Sequence, residues 1–482
     1  MSEETSSPGE EGRSRDEIPQ RAGSTHTDIE APGASGLTPS GDPPTDEARW
    51  AEDPRWHDVV PLDLTGTTHL LVVAAHPDDE TLGLGGLLAG LPADVDLDVV
   101  VATDGQASHP RSTTHTPADL ARIRRAEARE VISELAPRAR LHLLGLADGG
   151  LAEEQDELTA ALVRLVRPGE SVLLAPYRHD GHPDHEAAAR SAAAAAWRTD
   201  AQLLEYPIWL WHWEGPDALP WDSARRVDLS EEVRERKAWA VAGHRSQVEP
   251  LSDRPGDEVL LRPDMLAHFA RPWETLLVAE PGESSPFEDL HAREEDPWEV
   301  RTSWYERRKR ALTLAVLPHE RYAVGVEVGC SVGALADDLL GRCDAVVAVD
   351  ESAAALGRVE GADRLRTVQG SLPEEWGRLE EALAGESVEL VVLSEVGYFL
   401  SPGRLRGLAR RVGELVGVSG SPRATVLACH WRHEIVGWPL TGDEVHAMVG
   451  EAMAGAGLER RSHTVEEHFV LTVWSATGLA VT

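Results

Sequence analysis

The chain of 482 residues has little cysteine, almost no lysine and no long apolar run. Its three cysteines, Cys330, Cys343 and Cys429, stand in no C-x-x-C spacing and cannot all pair, which fits a reducing cytosol. Lys237 and Lys309 are the only lysines, and acidic residues outnumber Lys plus Arg by 83 to 46, a formal charge of −37. A surface of that sign repels phosphate backbones and anionic lipid, so neither nucleic acid nor a membrane is an expected partner. No stretch approaches the roughly 18 apolar residues of a membrane span. The opening MSEETSSPGEEGRS also lacks the basic-then-apolar order of a signal peptide. A soluble, cytoplasmic protein is expected. With 41% hydrophobic residues it has enough for ordinary cores, and its length suggests two or three domains.

Residues 1–55 are rich in Ser, Gly, Pro, Glu and Asp, the composition of a disordered acidic tail. The pattern then changes. HLLVVAA (69–75), DLDVVVAT ending at Thr103, and SVLLAP (171–176) are continuous apolar runs, as expected of parallel strands buried on both faces. Helical spacing lies between them, at 118–136 and 156–166. Strand alternating with helix predicts βαβ units, with ligands gathered at the C-terminal ends of the strands.

PGESSPFEDLHAREEDP (281–297) is the clearest boundary. Beyond it the alternation restarts with VGVEVG, DAVVAVD, RLRTVQG, VELVVLS and ATVLACH, and two closing segments, 458–465 and 467–475, read as an antiparallel hairpin. The expected fold class is α/β, two consecutive domains with mostly parallel sheets. The first spans 56–280, a linker spans 281–295, and the second spans 296–482.

The first buried strand runs into His76-Pro77-Asp78-Asp79-Glu80, and SVLLAPY runs into His179-Asp180-Gly181-His182-Pro183-Asp184-His185. Ionisable side chains directly after a buried strand are costly unless solvated or ligating. In a parallel sheet both strand ends lie on one edge, so the two clusters can converge. Imidazole and carboxylate donors suit Zn²⁺ or another divalent first-row ion.

AAHPDDETLGLGG and GHPDHEAA resemble the PIG-L/LmbE-type metal-dependent N-deacetylases of amino-sugar conjugates. The resemblance runs over about 66–280, including Arg124 to Glu127, Lys237 and HRSQ (244–247). It implies a deacetylase-type Rossmann-like fold, with His76, Asp79 and His185 as metal ligands. It also implies Asp78 as general base, His182 as electrostatic partner of the reacting amide, and Arg124 as a substrate hydroxyl contact. The mycothiol-pathway branch of the family has Tyr where Asp180 stands, so Asp180 is expected among the substrate contacts.

In the second half VEVGCSVG places Glu327, Gly329, Ser331 and Gly333 between a strand and a helix, where glycines let backbone approach a ligand. Asp350 ends the next strand 21 residues after Gly329, the spacing at which a carboxylate accepts ribose hydroxyls. Ser331 and Ala334 occupy the second and third glycine positions of G-x-G-x-x-G, so loop, acid and terminal hairpin together favour S-adenosyl-L-methionine over NAD. Residues 296–475 resemble class I methyltransferases of the nodulation-protein-S-like group, through 296–318, 326–333, 369–376 and 393–400. The resemblance implies Glu327, Gly329 and Gly333 around the methionine part of the cofactor and Asp350 on its ribose. It places Ser371 near adenine, and Trp304 and Tyr305 on a helix covering the cofactor. Glu395 and Tyr398, after the fourth strand, are the candidates to receive the proton of an ammonium acceptor.

The two halves make chemical sense in order. Amide hydrolysis frees a primary amine, and the second half methylates a nitrogen. The expectation is a bifunctional enzyme acting on a small amino-sugar conjugate. The alternatives are two independent activities with O- or C-methylation, or a deacetylase carrying a non-catalytic adenosyl-binding domain.

Overall fold

A computed structural model describes residues 44–279, 286–360 and 363–476. Two sheets organise the chain. The first holds β1 (Val60–Pro61), β2 (His69–Ala74), β3 (Asp96–Thr103), β4 (Arg140–Leu146), β5 (Ser171–Pro176), β6 (Gln202–Tyr206), β7 (Ala224–Asp228) and β8 (Trp273–Ala279), in the order β1-β7-β8-β6-β5-β2-β3-β4. Pairing is parallel from β6 to β4, and β8 runs antiparallel to both β6 and β7. The second sheet holds β9 (Tyr322–Val328), β10 (Cys343–Asp350), β11 (Leu365–Gln369), β12 (Val388–Ser394), β13 (Thr425–Trp431), β14 (Glu459–Val465) and β15 (Phe469–Ser475), ordered β11-β10-β9-β12-β13-β15-β14. Its first five strands are parallel, and β14 and β15 form the expected hairpin, of which β15 pairs antiparallel with β13.

β2 and β5 are buried along their whole length, which is why they read as unbroken apolar runs. Each sheet is covered by an apolar cluster on either face. In both sheets the strand order reverses beside the first long strand, between β2 and β5 and between β9 and β12. Such a reversal opens a crevice at the C-terminal strand ends.

The helix Asp79–Gly90 packs so closely that a Cβ on Gly83 would lie 2.3 Å from the Tyr206 ring. The TLGLGG stretch is therefore a packing surface for the helix. The helix Pro117–Leu135 starts on a Thr116/Asp119 capping box, with Pro117 in its first turn. The helix Pro183–Thr199 starts at His182, whose Nδ1 accepts the Asp184 N–H, with Pro183 in its first turn.

Two expected boundaries change. Part of the tail expected over 1–55 is folded: Glu47–Ala51 is a helix and Pro54–His57 a 3-10 turn. Trp50 and Trp56 are buried, Trp50 packs edge-on against Trp211, and Glu47 pairs with Arg271 and His268. Two large aromatics outweigh the polar composition around them. Residues 1–43 lie outside the described residues. The expected linker 281–295 carries a helix, Phe287–Arg293, with His291 buried and Phe287 packed on Phe399.

Candidate functional site

At the end of β2 the chain turns so that the Asp79 carboxylate accepts the His76 N–H at 2.8 Å. Asp79 Oδ2 then lies 3.6 Å from His76 Nδ1, and Asp79 Oδ1 lies 3.3 Å from His185 Nε2. The three residues expected to share a metal are thus gathered around one carboxylate. Both imidazoles have a carboxylate behind them. His185 Nδ1 is 2.7 Å from Asp180, and His76 Nε2 is 3.1 Å from Asp184 and 3.2 Å from Asp148. A ring nitrogen that donates to a carboxylate leaves the other with its lone pair free, the arrangement behind a metal-ligating histidine. His185 Nε2 is buried and has no hydrogen-bond partner, so the donor set fits a cation at this point.

His182 also belongs to the cluster. Its ring centroid is 4.9 Å from that of His76 and 4.7 Å from that of His185, and the three histidines each offer a nitrogen within 4.8 Å of the others. Because Nδ1 accepts from Asp184, Nε2 carries the hydrogen. Burial, helped by His185 and His76, pushes its pKa well below the ordinary range, so the ring is neutral.

Asp78 caps the Asp79–Gly90 helix at φ 131°, a conformation L residues rarely adopt. Burial pushes its carboxyl up to about 7, with Arg124 pulling the other way.

Two expected contacts are placed differently. Arg124 is 3% exposed and donates to the Pro77 and Gly105 carbonyls as well as to Asp78, at 2.7, 3.1 and 3.2 Å. It braces the Asp78 loop where a hydroxyl contact was expected. Asp180 is 1% exposed, and besides His185 it accepts the N–H groups of Ile208, Trp209 and Leu210. Its oxygens are shared between His185 and three backbone amides, in a buried position where a substrate contact was expected. Lys237, Glu127 and HRSQ are scaffolding. Lys237 pairs with Glu274, which holds the Gly86 and Leu87 amides, and Glu127 holds Ser246.

Sequence reasoning missed Asp148, although it follows β4 by the same acid-after-strand rule. β4 is a half-exposed edge strand with charged residues on it and does not read as an apolar run.

In the second sheet β9 runs into a loop with Gly329, Ser331 and Gly333 at φ 72°, 49° and 77°. The Asp350 carboxylate accepts the Ser331 and Ser352 amides at 2.8 and 2.9 Å, tying the ends of β9 and β10 together. Glu327 is 3% exposed, and its Oε2 is buried without a partner. Burial, reinforced by Asp350, pushes its pKa well above the ordinary range. An unpaired acid beneath a glycine loop fits a ligand that brings its own cation, as the ammonium and sulfonium of S-adenosylmethionine do.

Glu395 follows β12 in a left-handed turn at φ 56°. Val396, beside it, sits where a Cβ on Gly329 would lie, 2.8 Å away, so the two loops touch. Tyr398 Oη donates to one Glu395 oxygen, and Lys309 Nζ is 3.0 Å from the other and 2.9 Å from Glu306. Burial opposes the Lys309 charge, but Glu395 and Glu306 together hold its pKa above the ordinary range. Lys309 and Glu306 were not foreseen; a buried lysine in a chain with two was the available signal. Tyr305 Oη is buried nearby without a partner, while Trp304 is 71% exposed. Ser371 lies beyond Asp350, its hydroxyl 3.2 Å from Glu351.

Two family models match this chain. Residues 71–196 match PIG-L, GlcNAc-PI de-N-acetylase, and residues 287–437 match nodulation protein S. A 1D-myo-inositol 2-acetamido-2-deoxy-alpha-D-glucopyranoside deacetylase of Rhodococcus opacus is 31% identical over 183 residues, 32% of this chain and 59% of that protein. The chain thus spans about three fifths of that relative. A probable N-acetyl-alpha-D-glucosaminyl L-malate deacetylase 2 of Bacillus subtilis is 28% identical over 190 residues, 38% of this chain and 85% of that protein. The N-methyltransferase NodS of Bradyrhizobium japonicum, solved with S-adenosyl-L-homocysteine, aligns at 16% identity and a TM-score of 0.34, over 40% of this chain and all of that one. Among the described residues no helix is long and apolar enough to cross a membrane.

Proposed function

We propose that the chain is a two-site enzyme. The first site hydrolyses the acetamido group of an amino-sugar conjugate, and the second transfers a methyl group from S-adenosylmethionine to the amine so released. The observation that carries the hydrolase is His185 Nε2, buried and unpartnered against Asp79 while Nδ1 is held by Asp180. A divalent ion, zinc or another first-row metal, held by His76, Asp79 and His185 would polarise the carbonyl and acidify water. Asp78, with a pKa near neutrality, takes the proton of the attacking water and returns it to the departing nitrogen. Arg124 keeps Asp78 in place. His182 points Nε2–H at the developing oxyanion, as a neutral donor. Both deacetylase relatives are named for N-acetylated glucosamine conjugates, which supports that substrate class.

In the second site Gly329, Gly333 and Glu327 would hold the methionine end of the cofactor, and Asp350, with Ser371 beyond it, the nucleoside end. Glu395 receives the proton that an ammonium acceptor must lose before its lone pair attacks. Tyr398 and Lys309 fix its two oxygens. Positioning supplies most of the rate in such a displacement.

The test is the zinc-loaded full chain with N-acetyl-D-glucosaminyl L-malate and methyl-labelled cofactor. Acetate release abolished by a chelator, with label on nitrogen of the deacetylated sugar only, is the expected result. Acetate release untouched by chelator overturns the hydrolase, and label on oxygen or carbon overturns the tandem scheme.

A further inference from the structure

The helix Pro183–Thr199 follows β5, so it starts at the catalytic edge of the first sheet and ends at the opposite edge. The helix Pro402–Val418 follows β12, so it starts at the catalytic edge of the second sheet. These two helix ends meet. Asp200, the left-handed C-cap of the first, accepts from Ser401 Oγ at 2.5 Å and the Gly403 N–H at 2.6 Å, placing a carboxylate on the start of the second. Arg198, buried, donates to the Gly437 carbonyl at 2.8 Å and stacks on Trp438. The first half thus docks, by its non-catalytic edge, onto the catalytic edge of the second.

One contact in this junction reaches the nucleoside side of the glycine-loop site. The Arg404 guanidinium lies 4.7 Å over the Trp197 ring. It forks onto Glu374 at 2.9 Å through both Nε and Nη2, and Nη2 also donates to Ser371 Oγ at 3.0 Å. Ser371 follows Gly370, whose N–H is held by the Asp350 carbonyl at 2.9 Å, so this loop and the Asp350 turn share one rim. An Arg–Glu pair with Glu374 half exposed would fix little by itself, because water competes for both partners. Stacking on an indole face removes one side of the guanidinium from water and sets its plane. That plane aims Nη2 at Ser371.

We infer that Trp197, a residue of the hydrolase half, is a positioning residue of the adenosyl pocket, acting through Arg404 on the Ser371 loop. The inference rests on the reading that this rim receives the nucleoside end of the cofactor. The affinity of the second site then depends on the helix whose first turn carries His185.

The test is calorimetric titration of the full chain with S-adenosylhomocysteine. Trp197→Ala is expected to weaken binding about fivefold, the size of a partly desolvated cation–π contact. Trp197→Phe keeps a ring face and should stay within about twofold of the parent. Arg404→Lys, which keeps the charge but loses the plane, should reproduce most of the loss. The deciding arm is the double variant: in an Arg404→Ala background the effect of Trp197→Ala should vanish, which a general loosening of the junction would not produce. Unchanged affinity in Trp197→Ala, or an equal loss in both backgrounds, overturns the inference. If the unaltered chain does not bind S-adenosylhomocysteine, the adenosyl reading itself falls, and the inference with it.

Discussion

At the edge of the first sheet, side chains with a carboxylate behind them do the arranging. Asp180 stands behind His185, Asp184 and Asp148 behind His76, and Arg124 beside Asp78. At the edge of the second sheet the backbone does most of it, through three left-handed residues and two amides tied to Asp350, while Glu327 waits unpaired. Hydrolysis with a small ion needs lone pairs aimed at one point, so each ring needs its own outer partner. A cofactor that carries its reactive carbon needs enclosure by close backbone and one well-placed acid. On the proposed reading the same sheet architecture serves both.

The comparison breaks most sharply if the first edge does not depend on its aimed groups. Asp78→Asn should lower hydrolysis by about 10²- to 10⁴-fold while the bound metal, measured by atomic emission, stays at the parent level. Metal lost together with activity would place Asp78 among the ligands.

The second edge has one place where side chains do the arranging, the buried Lys309 between Glu306 and Glu395. Lys309→Met leaves two part-buried carboxylates without their shared cation and should cost about 3 kcal/mol of stability, the low end for a buried pair, read from the denaturant midpoint. A loss under about 1 kcal/mol, the worth of an exposed pair, would mean that water reaches the cluster. A smaller effect sharpens the comparison from the other side: Asp180→Asn should weaken metal affinity about 10- to 100-fold without removing a ligand. Unchanged affinity would make Asp180 a mere cap for the residues from Ile208 to Leu210.

Most of this arrangement is legible in the sequence where strands are buried on both faces. β2, β3 and β5, and β9, β10, β12, β13 and β15 of the second sheet, stand as largely apolar runs, and the acids and histidines that follow them supply most of the candidate sites. β4, β6, β7 and β8 do not announce themselves. β4 is a half-exposed edge strand, β7 carries two arginines, and the antiparallel β8 lies between β6 and β7. Asp148 was lost with β4. The resemblance implies Arg124 as a hydroxyl contact, and the Tyr of a family branch at its position puts Asp180 among the substrate contacts; burial and hydrogen bonding, which distinguish a brace from a contact, are not written in the sequence. The segment around Trp50 and Trp56 reads as tail because charge density hides two anchors.

The smallest effect concerns a column of imidazoles behind the Glu395 turn. The Gly397 N–H donates to His430 Nε2 at 3.0 Å, so His430 Nδ1 carries the hydrogen and donates to His446 Nε2 at 3.1 Å. His446 Nδ1 in turn donates to Thr472 Oγ1 at 2.7 Å. A backbone amide thus sets both tautomers, and both rings are neutral. Burial lowers His430 to about 3, with Lys309 adding to the effect, and His446 to about 2. In the unfolded chain each titrates near 6.5, so below that pH the unfolded state takes up protons that the folded state refuses. Stability contributed by the neutral rings is present above about pH 6.5 and is lost as pH falls, by about 1.4 kcal/mol per pH unit for each ring. Denaturant unfolding at pH 7 and pH 5 should therefore differ less in His446→Gln than in the parent, by about 2 kcal/mol. An identical pH dependence in the two proteins would mean that the column is hydrated and able to take up protons while folded.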